Sequence, residues 1–510
     1  MSNLVPLYVI LPLATAFLIP ILGRIIKGFQ KTLLSLVLLF LTVITVMFLF
    51  NGIDGAITYQ VGGWEPVNGI PIAIYMVFDG LSALLLLVIS LIGFLAAFYS
   101  ISYIKRYTAE NNFYALLSLM IAGMNGVVLT GDMFNLYVFL EIAVIASYAL
   151  VAFGVEKTEL EASFKYQILG GVASILILFA IGLLYWQTKT LNIADISSIL
   201  ASNSNNFFLT FTQIILISGF GLKAAMIPFH AWLPDAHSSA PSPISAMLSG
   251  VLIKAIGIYA ILRLFFNMFA ITYEISMVIT VIGVISMVVG VFLAIGQWDL
   301  KRLLAYHSIS QMGYVVIGVG MGMLIINNGG NKSIASLAIA GGLFHMINHA
   351  VFKGLLFLNA GAVEYTTGTR NLKMMGGLSK YMPVTSATSL GASLSISGIP
   401  PFNGFFSKLI IVIAAIKGGF YLIAVLAIIV SIVTLASFMK FQRYAFYNKK
   451  TFTKKVKEVP FYMQFSMIVL VILCLGLSLL AIPGIREVIL SPAVDVLMEA
   501  TNYSSSIIGI

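Results

Sequence analysis

Cysteine occurs once in this chain of 510 residues, as Cys474 in an apolar stretch. One thiol cannot close an internal disulfide or hold an iron–sulfur cluster. Charge is scarce too, at 9% of residues. The sequence has no P-loop, no GxGxxG after a strand, no CxxC and no HExxH. It shows no means of carrying electrons, hydrolysing ATP or binding a metal through a known spacing, and whether it belongs to an enzyme stays open. A signal-peptide pattern is also missing, because the first apolar run is followed by another apolar run.

What remains is 60% hydrophobic, which places the chain among integral membrane proteins. Apolar runs of about 20 residues count as spanning helices. The sequence predicts an all-α polytopic protein with fourteen of them, at approximately 3–22, 32–51, 79–103, 112–130, 132–153, 162–186, 207–228, 242–264, 273–297, 302–325, 335–358, 384–417, 419–446 and 461–483. Residues 57–77 alternate around Gly62-Gly63 and Asn68-Gly69 and predict a short β-hairpin outside the membrane. Residues 192–203 read as a short surface helix or loop.

The net charge is +10. In a soluble protein that would suggest nucleic acid, but here the basic residues sit mostly in loops, where membrane orientation explains them. Loops after odd-numbered spans hold 18 of the 28 lysines and arginines. Loops after even-numbered spans hold 5, namely Lys189, Arg263, Lys332, Lys417 and Arg486. The split predicts both termini on the outer face of the cell membrane and supports an even number of spans. The other five, Lys223, Lys254, Lys353, Lys408 and Lys440, fall within spans.

Glu141 joins them inside an apolar segment. A charge at the bilayer centre costs about 2.5–3.5 kcal/mol on insertion scales, so a carboxylate and several lysines on separate helices mark a polar path. Lys440 is the exception, close enough to the basic cluster at 443–457 to snorkel towards it. Asp79 begins the third span and reads as an interfacial or N-cap residue.

Proline punctuates two spans: Pro228 in the seventh, and Pro400 and Pro401 in the twelfth. Proline removes a backbone donor and clashes with the preceding turn, so both helices break. The breaks lie five spans apart, each beside a lysine, Lys223 or Lys408. Interrupted spans in corresponding positions are the mark of an inverted repeat with its site at mid-membrane. The predicted repeats are spans 4–8 (residues 109–265) and spans 9–13 (residues 272–446), inverted because five is odd. Residues 1–108 supply spans 1–3 with the hairpin, and 461–510 supply span 14 and a short tail.

The segments FLEIAVIASYALVAF, GLKAAMIPFHAWLPDAHSSAPSPISAMLSGVLIKAIGIYAILR, DLKRLLAYHSISQMGYVVIGVG, FHMINHAVFKGLLFLNAGAVEYTTGTRNLKMMGGL and GIPPFNGFFSK resemble the antiporter-like subunit family. That family comprises the L-, M- and N-type subunits of respiratory complex I, the large subunits of Mrp-type cation/proton antiporters, and their counterparts in membrane-bound hydrogenases. The likeness covers about residues 60–445. It implies fourteen helices, broken helices 7 and 12, and ion translocation along a hydrated central axis. Carried over residue by residue, it implies that Glu141 is the helix-5 carboxylate paired with the helix-7 lysine, Lys223. Lys254 is then the helix-8 lysine, His345, His349 and Lys353 a helix-11 relay, and Lys408 the terminal group on helix 12. Two departures stand out. Many members carry histidine at the position of Gln311, whereas here the histidine is His307, one turn earlier. The long lateral helix of L-type subunits is not expected after helix 14, which points to a D-, M- or N-type member or a hydrogenase counterpart, with Lys408 against the M-type pattern.

A buried lysine holds its proton poorly unless a carboxylate is near. A Glu141 that approaches or leaves Lys223 would therefore act as a gate, passing a proton towards Lys254, the helix-11 group and Lys408. His345, His349 and Lys353 share a helix face by their i, i+4, i+8 spacing, and histidine suits proton transfer near neutral pH. His230 and His237 flank the helix-7 break and read equally as proton uptake sites or as loop structure. The expected function is a proton-translocating subunit of a redox-driven complex of hydrogenase or complex I type. The alternative is a subunit of a sodium/proton antiporter without a redox partner. Other membrane subunits, a peripheral redox arm and protons, with sodium as a second candidate ion, are the expected partners. Iron–sulfur and other redox centres are expected only in partner subunits. A stand-alone solute transporter would need a roomy organic site, and the spans offer single ionisable groups instead.

Overall fold

The computed structural model describes residues 2–52, 55–66, 71–202, 207–449, 456–499 and 503–508. Among these, twelve helices are long and apolar enough to cross a membrane. They are Ser2–Leu22, Phe29–Phe50, Gly80–Arg106, Glu110–Leu129, Met133–Val151, Lys157–Thr188, Ser242–Asn267, Tyr273–Ile295, Leu300–Asn327, Lys332–Thr367, Tyr421–Tyr447 and Phe461–Ala481. In the order of the predicted spans they are helices 1–6, 8–11, 13 and 14.

The two numbers missing from that series are the proline-marked ones. Helix 7 runs as Phe207–Lys223 and resumes as Trp232–Ser239. Helix 12 runs as Pro383–Ser397 and Asn403–Lys417, 15 residues each. At 1.5 Å per residue such a half covers about 22 Å, short of a hydrocarbon core of about 30 Å, so both halves are needed to cross.

Non-helical backbone at this depth must find partners inside the protein. In the helix-7 break the indole of Trp232 donates to the Leu222 carbonyl at 3.0 Å, and the Ile227 amide donates to Ser286 Oγ on helix 9 at 3.0 Å. In the helix-12 break Gly398 takes the left-handed conformation at φ +75, and its amide and that of Ile399 close onto Ser395 and Leu394 carbonyls. The two halves then approach closely: a Cβ on Gly404 would stand 1.9 Å from the Ser395 carbonyl oxygen. Only glycine fits there.

Ile57–Gln60 (β1) pairs antiparallel with Tyr75–Phe78 (β2), Ile57 opposite Phe78, which is the predicted hairpin. Its Gly62 and Gly63 have positive φ, and the Asn68-Gly69 turn lies outside the described residues. Ile193–Ser202 forms the short helix between helices 6 and 7.

Helices 8, 10 and 11 are the most buried of the long helices and form the central axis. The outer helices turn apolar side chains outward, among them Ile175, Phe292 and Ile432, a surface suited to lipid or a neighbouring subunit.

Asp79 is the N-cap that the sequence reading offered, while two basic residues assigned to loops, Arg263 and Lys301, are buried in helices. Asp79 caps helix 3 in a capping box with Ser82 and also forms a buried two-point ion pair with Arg263, at 2.7 and 2.9 Å. Arg263 lies in the last turns of helix 8 and is buried. Helix 10 starts at Leu300, so Lys301 is a buried helical residue. Arg263 and Lys301 depart from the hydropathy reading because a paired charge ends the apolar run without ending the helix.

Candidate functional site

Glu141 projects from helix 5 and Lys223 is the last residue of the first half of helix 7. Lys223 Nζ lies 3.7 Å from Glu141 Oε1, too far for a hydrogen bond. Ser174 of helix 6 fills the space between them. Its hydroxyl lies in hydrogen-bonding contact with Glu141 Oε1 and 2.9 Å from Lys223 Nζ, which donates to it. Lys223 also donates to the Gly170 carbonyl at 3.0 Å. The lysine side chain is 1% exposed and the glutamate 24%, so one partner is sealed in while the other keeps an open side.

Helix 8 carries Lys254 through two stretches of π turn, Leu248–Leu252 and Lys254–Ile258. A π turn shifts the backbone ladder and occurs frequently at functional sites. Here Lys254 Nζ donates to the Ser249 carbonyl at 2.7 Å. Gly257 packs so closely on Ala224 that a Cβ would stand 2.7 Å from the alanine Cβ, which brings helix 8 against the residue following Lys223. Among the described residues no direct hydrogen bond joins Lys223 to Lys254.

From Lys254 a line of oxygens leads to helix 11. Ser249 Oγ and Ser308 Oγ are 2.6 Å apart, Ser308 donates to the Leu304 carbonyl at 3.1 Å, and Lys353 Nζ donates to the same carbonyl at 2.5 Å. Close approach of Gly250 to the Ala350 carbonyl and to Gly354 holds helix 8 against helix 11 at the level of His349 and Lys353. His349 is buried, and neither ring nitrogen has a hydrogen-bond partner.

His345 faces both Gln311 and Ser407. One ring nitrogen is 3.1 Å from Gln311 Oε1 and the other 2.9 Å from Ser407 Oγ. Helix 10 therefore does enter the row, through Gln311, while His307 turns aside to Ser437 Oγ at 2.8 Å. Tyr314 of helix 10 lies between His345 and Lys408, its ring centroid 5.3 Å from the histidine ring and 4.9 Å from the Lys408 ammonium. Lys408 Nζ donates to the Ile396 carbonyl at 2.8 Å and to Ser431 Oγ at 3.3 Å. A cation thus sits on the carbonyl end of the first half of helix 12, where unpaired carbonyls and the helix dipole favour it. A cavity of about 290 Å³, lined by Ser397, Lys408 and Ser431, opens on the flank between helices 12 and 13.

The seven residues of the predicted path are all buried or half-buried near the central axis. His230 is half-buried in the break. His237 is fully buried in Trp232–Ser239 and stacks on Phe357. Lys440 donates to the carbonyls of Ile295 and Gln297 at the end of helix 9. The residues that sequence reasoning missed, Ser174, Ser249, Ser308, Ser407 and Tyr314, carry no charge in an apolar span and gave no hydropathy signal.

The family described as NADH:quinone oxidoreductase/Mrp antiporter, TM, matches residues 130–434, and that of complex I chain 5 N-terminus matches residues 64–114. The chain is an antiporter-like subunit of the Mrp and complex I family. A D-type sodium/proton antiporter subunit of Alkalihalophilus pseudofirmus is 35% identical to this antiporter-like subunit over 89% of each chain. A chain of the Mrp complex from a Dietzia species has the same fold with a TM-score of 0.89 and 27% identity, over 100% and 99% of the two chains. A chain of an archaeal membrane-bound sulfane sulfur reductase, a respiratory membrane complex, matches with a TM-score of 0.87 and 28% identity over 99% of each. The antiporter-like subunit is thus a multi-span membrane protein similar to subunits of multisubunit ion-transport and respiratory complexes.

Proposed function

We propose that this antiporter-like subunit moves protons along the row Glu141, Lys223, Lys254, Lys353, His349, His345 and Lys408. The observation that carries the reading is the serine-bridged Glu141–Lys223 pair, an ion pair held just beyond direct contact. Closing the gap stabilises the charged lysine, and opening it weakens the lysine's hold on its proton. Ser174 can follow either state, because a hydroxyl both donates and accepts.

The driving force comes from partner subunits. A redox-driven pump with iron–sulfur centres in a peripheral arm is supported by the likeness to a subunit of a respiratory complex. Sodium/proton exchange without a redox arm is supported by the 35% identical antiporter subunit. In either reading the chain lies in the cell membrane with its termini outward, for which the distribution of basic loops is the support. Each charge moved against 100 mV requires about 2.3 kcal/mol from that source.

The test is Glu141→Gln in proteoliposomes of the native complex. Loss of ion-coupled proton movement by about tenfold or more is expected, in line with the removal of a positioned acid–base group; wild-type transport at normal assembly would sink the gate.

A further inference from the structure

Lys301 is buried at the start of helix 10 and plays no part in the row above. Its Nζ donates to the Ala240 carbonyl at 2.9 Å and lies 3.3 Å from Glu364 Oε2 on helix 11. It is the second lysine–glutamate pair with a buried lysine and a partly open carboxylate, 2% against 21% exposed. The pair lines a polar cavity of about 390 Å³ together with Tyr103, Arg106, Thr158 and Glu159. These residues come from the end of the bundle where the loops after odd-numbered helices gather.

The inner side of the pair leads to the axis. Glu364 follows Lys353 by eleven residues and Phe357 by seven, so it lies within about 20° of each, and all three share a sector of about 40° on helix 11. His237, one turn before Ala240, stacks on Phe357 with centroids 4.7 Å apart, and Lys353 Nζ lies 5.9 Å from the centroid of that same ring. His237 is 0% exposed, and neither of its ring nitrogens has a hydrogen-bond partner. Leu304, whose carbonyl receives Lys353, is one turn beyond Lys301 on helix 10.

We infer that the Lys301–Glu364 pair is the proton entrance of this subunit, taking protons from the water-facing cavity and passing them by way of His237 to Lys353. The inference rests on the proton row proposed above and adds its inlet, leaving Lys223 as the gate. Glu364 accepts the proton from water, Lys301 holds the carboxylate ionised between transfers, and the open imidazole nitrogens of His237 take the proton inward. Arg370, 3.8 Å from Glu364 and also bound to the Ser238 carbonyl, ties the glutamate to the turn that carries His237.

The test uses the native complex in proteoliposomes. Glu364→Gln should slow proton movement about tenfold or more, with Glu364→Asp recovering part of the rate and assembly unchanged. Because the one native cysteine of this chain, Cys474, is buried, Thr158→Cys at the cavity wall supplies its one accessible thiol, and the unsubstituted complex treated in parallel accounts for thiols of partner subunits. Modification with a methanethiosulfonate carrying a trimethylammonium group should block transport, and dithiothreitol should restore it in the same sample. A thiol that stays unreactive, or one fully modified with transport unchanged, overturns the entrance. Glu141→Gln measured in parallel separates the two readings. If it stops transport while the thiol block does nothing, only the entrance falls; if it transports normally, the row itself falls.

Discussion

Ser174 carries no charge, yet the contact between Glu141 and Lys223 passes through its hydroxyl. Hydrogen bonds to charged groups contribute about 1.5–3 kcal/mol. Ser174→Ala should therefore alter proton-transfer rates by about ten- to a hundredfold and cost about 1–3 kcal/mol of stability; an unchanged rate in proteoliposomes would remove the serine from the gate. The pair formed by Asp79 and Arg263 lies outside the candidate row and bears on stability alone. Both partners are buried, and Arg263 is further held by Asn267 at 3.2 Å and by the Tyr259 hydroxyl at 3.2 Å. Asp79→Ala leaves an unpaired guanidinium in the interior and should cost about 3–5 kcal/mol, seen as a lowered melting temperature in detergent. The ionisable residues of the candidate row were legible in the sequence because a charge inside an apolar run stands out. The serines, Gln311 and Tyr314 were not, because polar uncharged residues are ordinary in membrane helices and only their facing partners give them a role.

The two broken helices show how far elements could be read. Pro228, Pro400 and Pro401 marked the interruptions, and the structure interrupts helices 7 and 12 at those prolines. The helical restart at Trp232–Ser239 and the π turns of helix 8 left no such trace, since both depend on contacts with other helices. Glycine positions now separate tight from loose packing. Gly404→Ala would drive a methyl into the Ser395 carbonyl and should destabilise by about 1–3 kcal/mol or force the halves of helix 12 apart. Gly182→Ala on helix 6 meets nothing within 4 Å and should be neutral or stabilising by about 0.5–1 kcal/mol. Thermal unfolding of the two variants side by side checks both. The proposed inverted repeat, residues 109–265 against 272–446, adds that the two breaks serve as equivalent sites, each with one lysine, Lys223 and Lys408.

At the scale of the whole molecule, the apolar composition made a multi-span bundle legible, while the driving reaction, proposed above to lie in partner subunits, left no motif in the chain. Purification from native membranes should bring other polytopic subunits with it. If the complex is an antiporter, an imposed sodium gradient alone should move protons with no electron donor present. If it is a redox pump, the same gradient should do nothing until donor and acceptor are added. Proton-sensitive dyes in sealed vesicles distinguish the two. Lys301 shows why loop counting has a limit at this scale: a basic residue tallied for topology turned out to face the interior.

A hydroxyl offers one proton at a time. Ser308 directs its own to the Leu304 carbonyl, so in this state Ser249 points towards Ser308 across their 2.6 Å contact. The Leu304 carbonyl that takes this hydrogen also receives Lys353, while Lys254 is held by the Ser249 carbonyl rather than by its hydroxyl. The seam between helices 8 and 10 therefore has a sense, fixed by the one carbonyl that takes the Ser308 hydrogen, and a lysine of helix 11 shares that anchor.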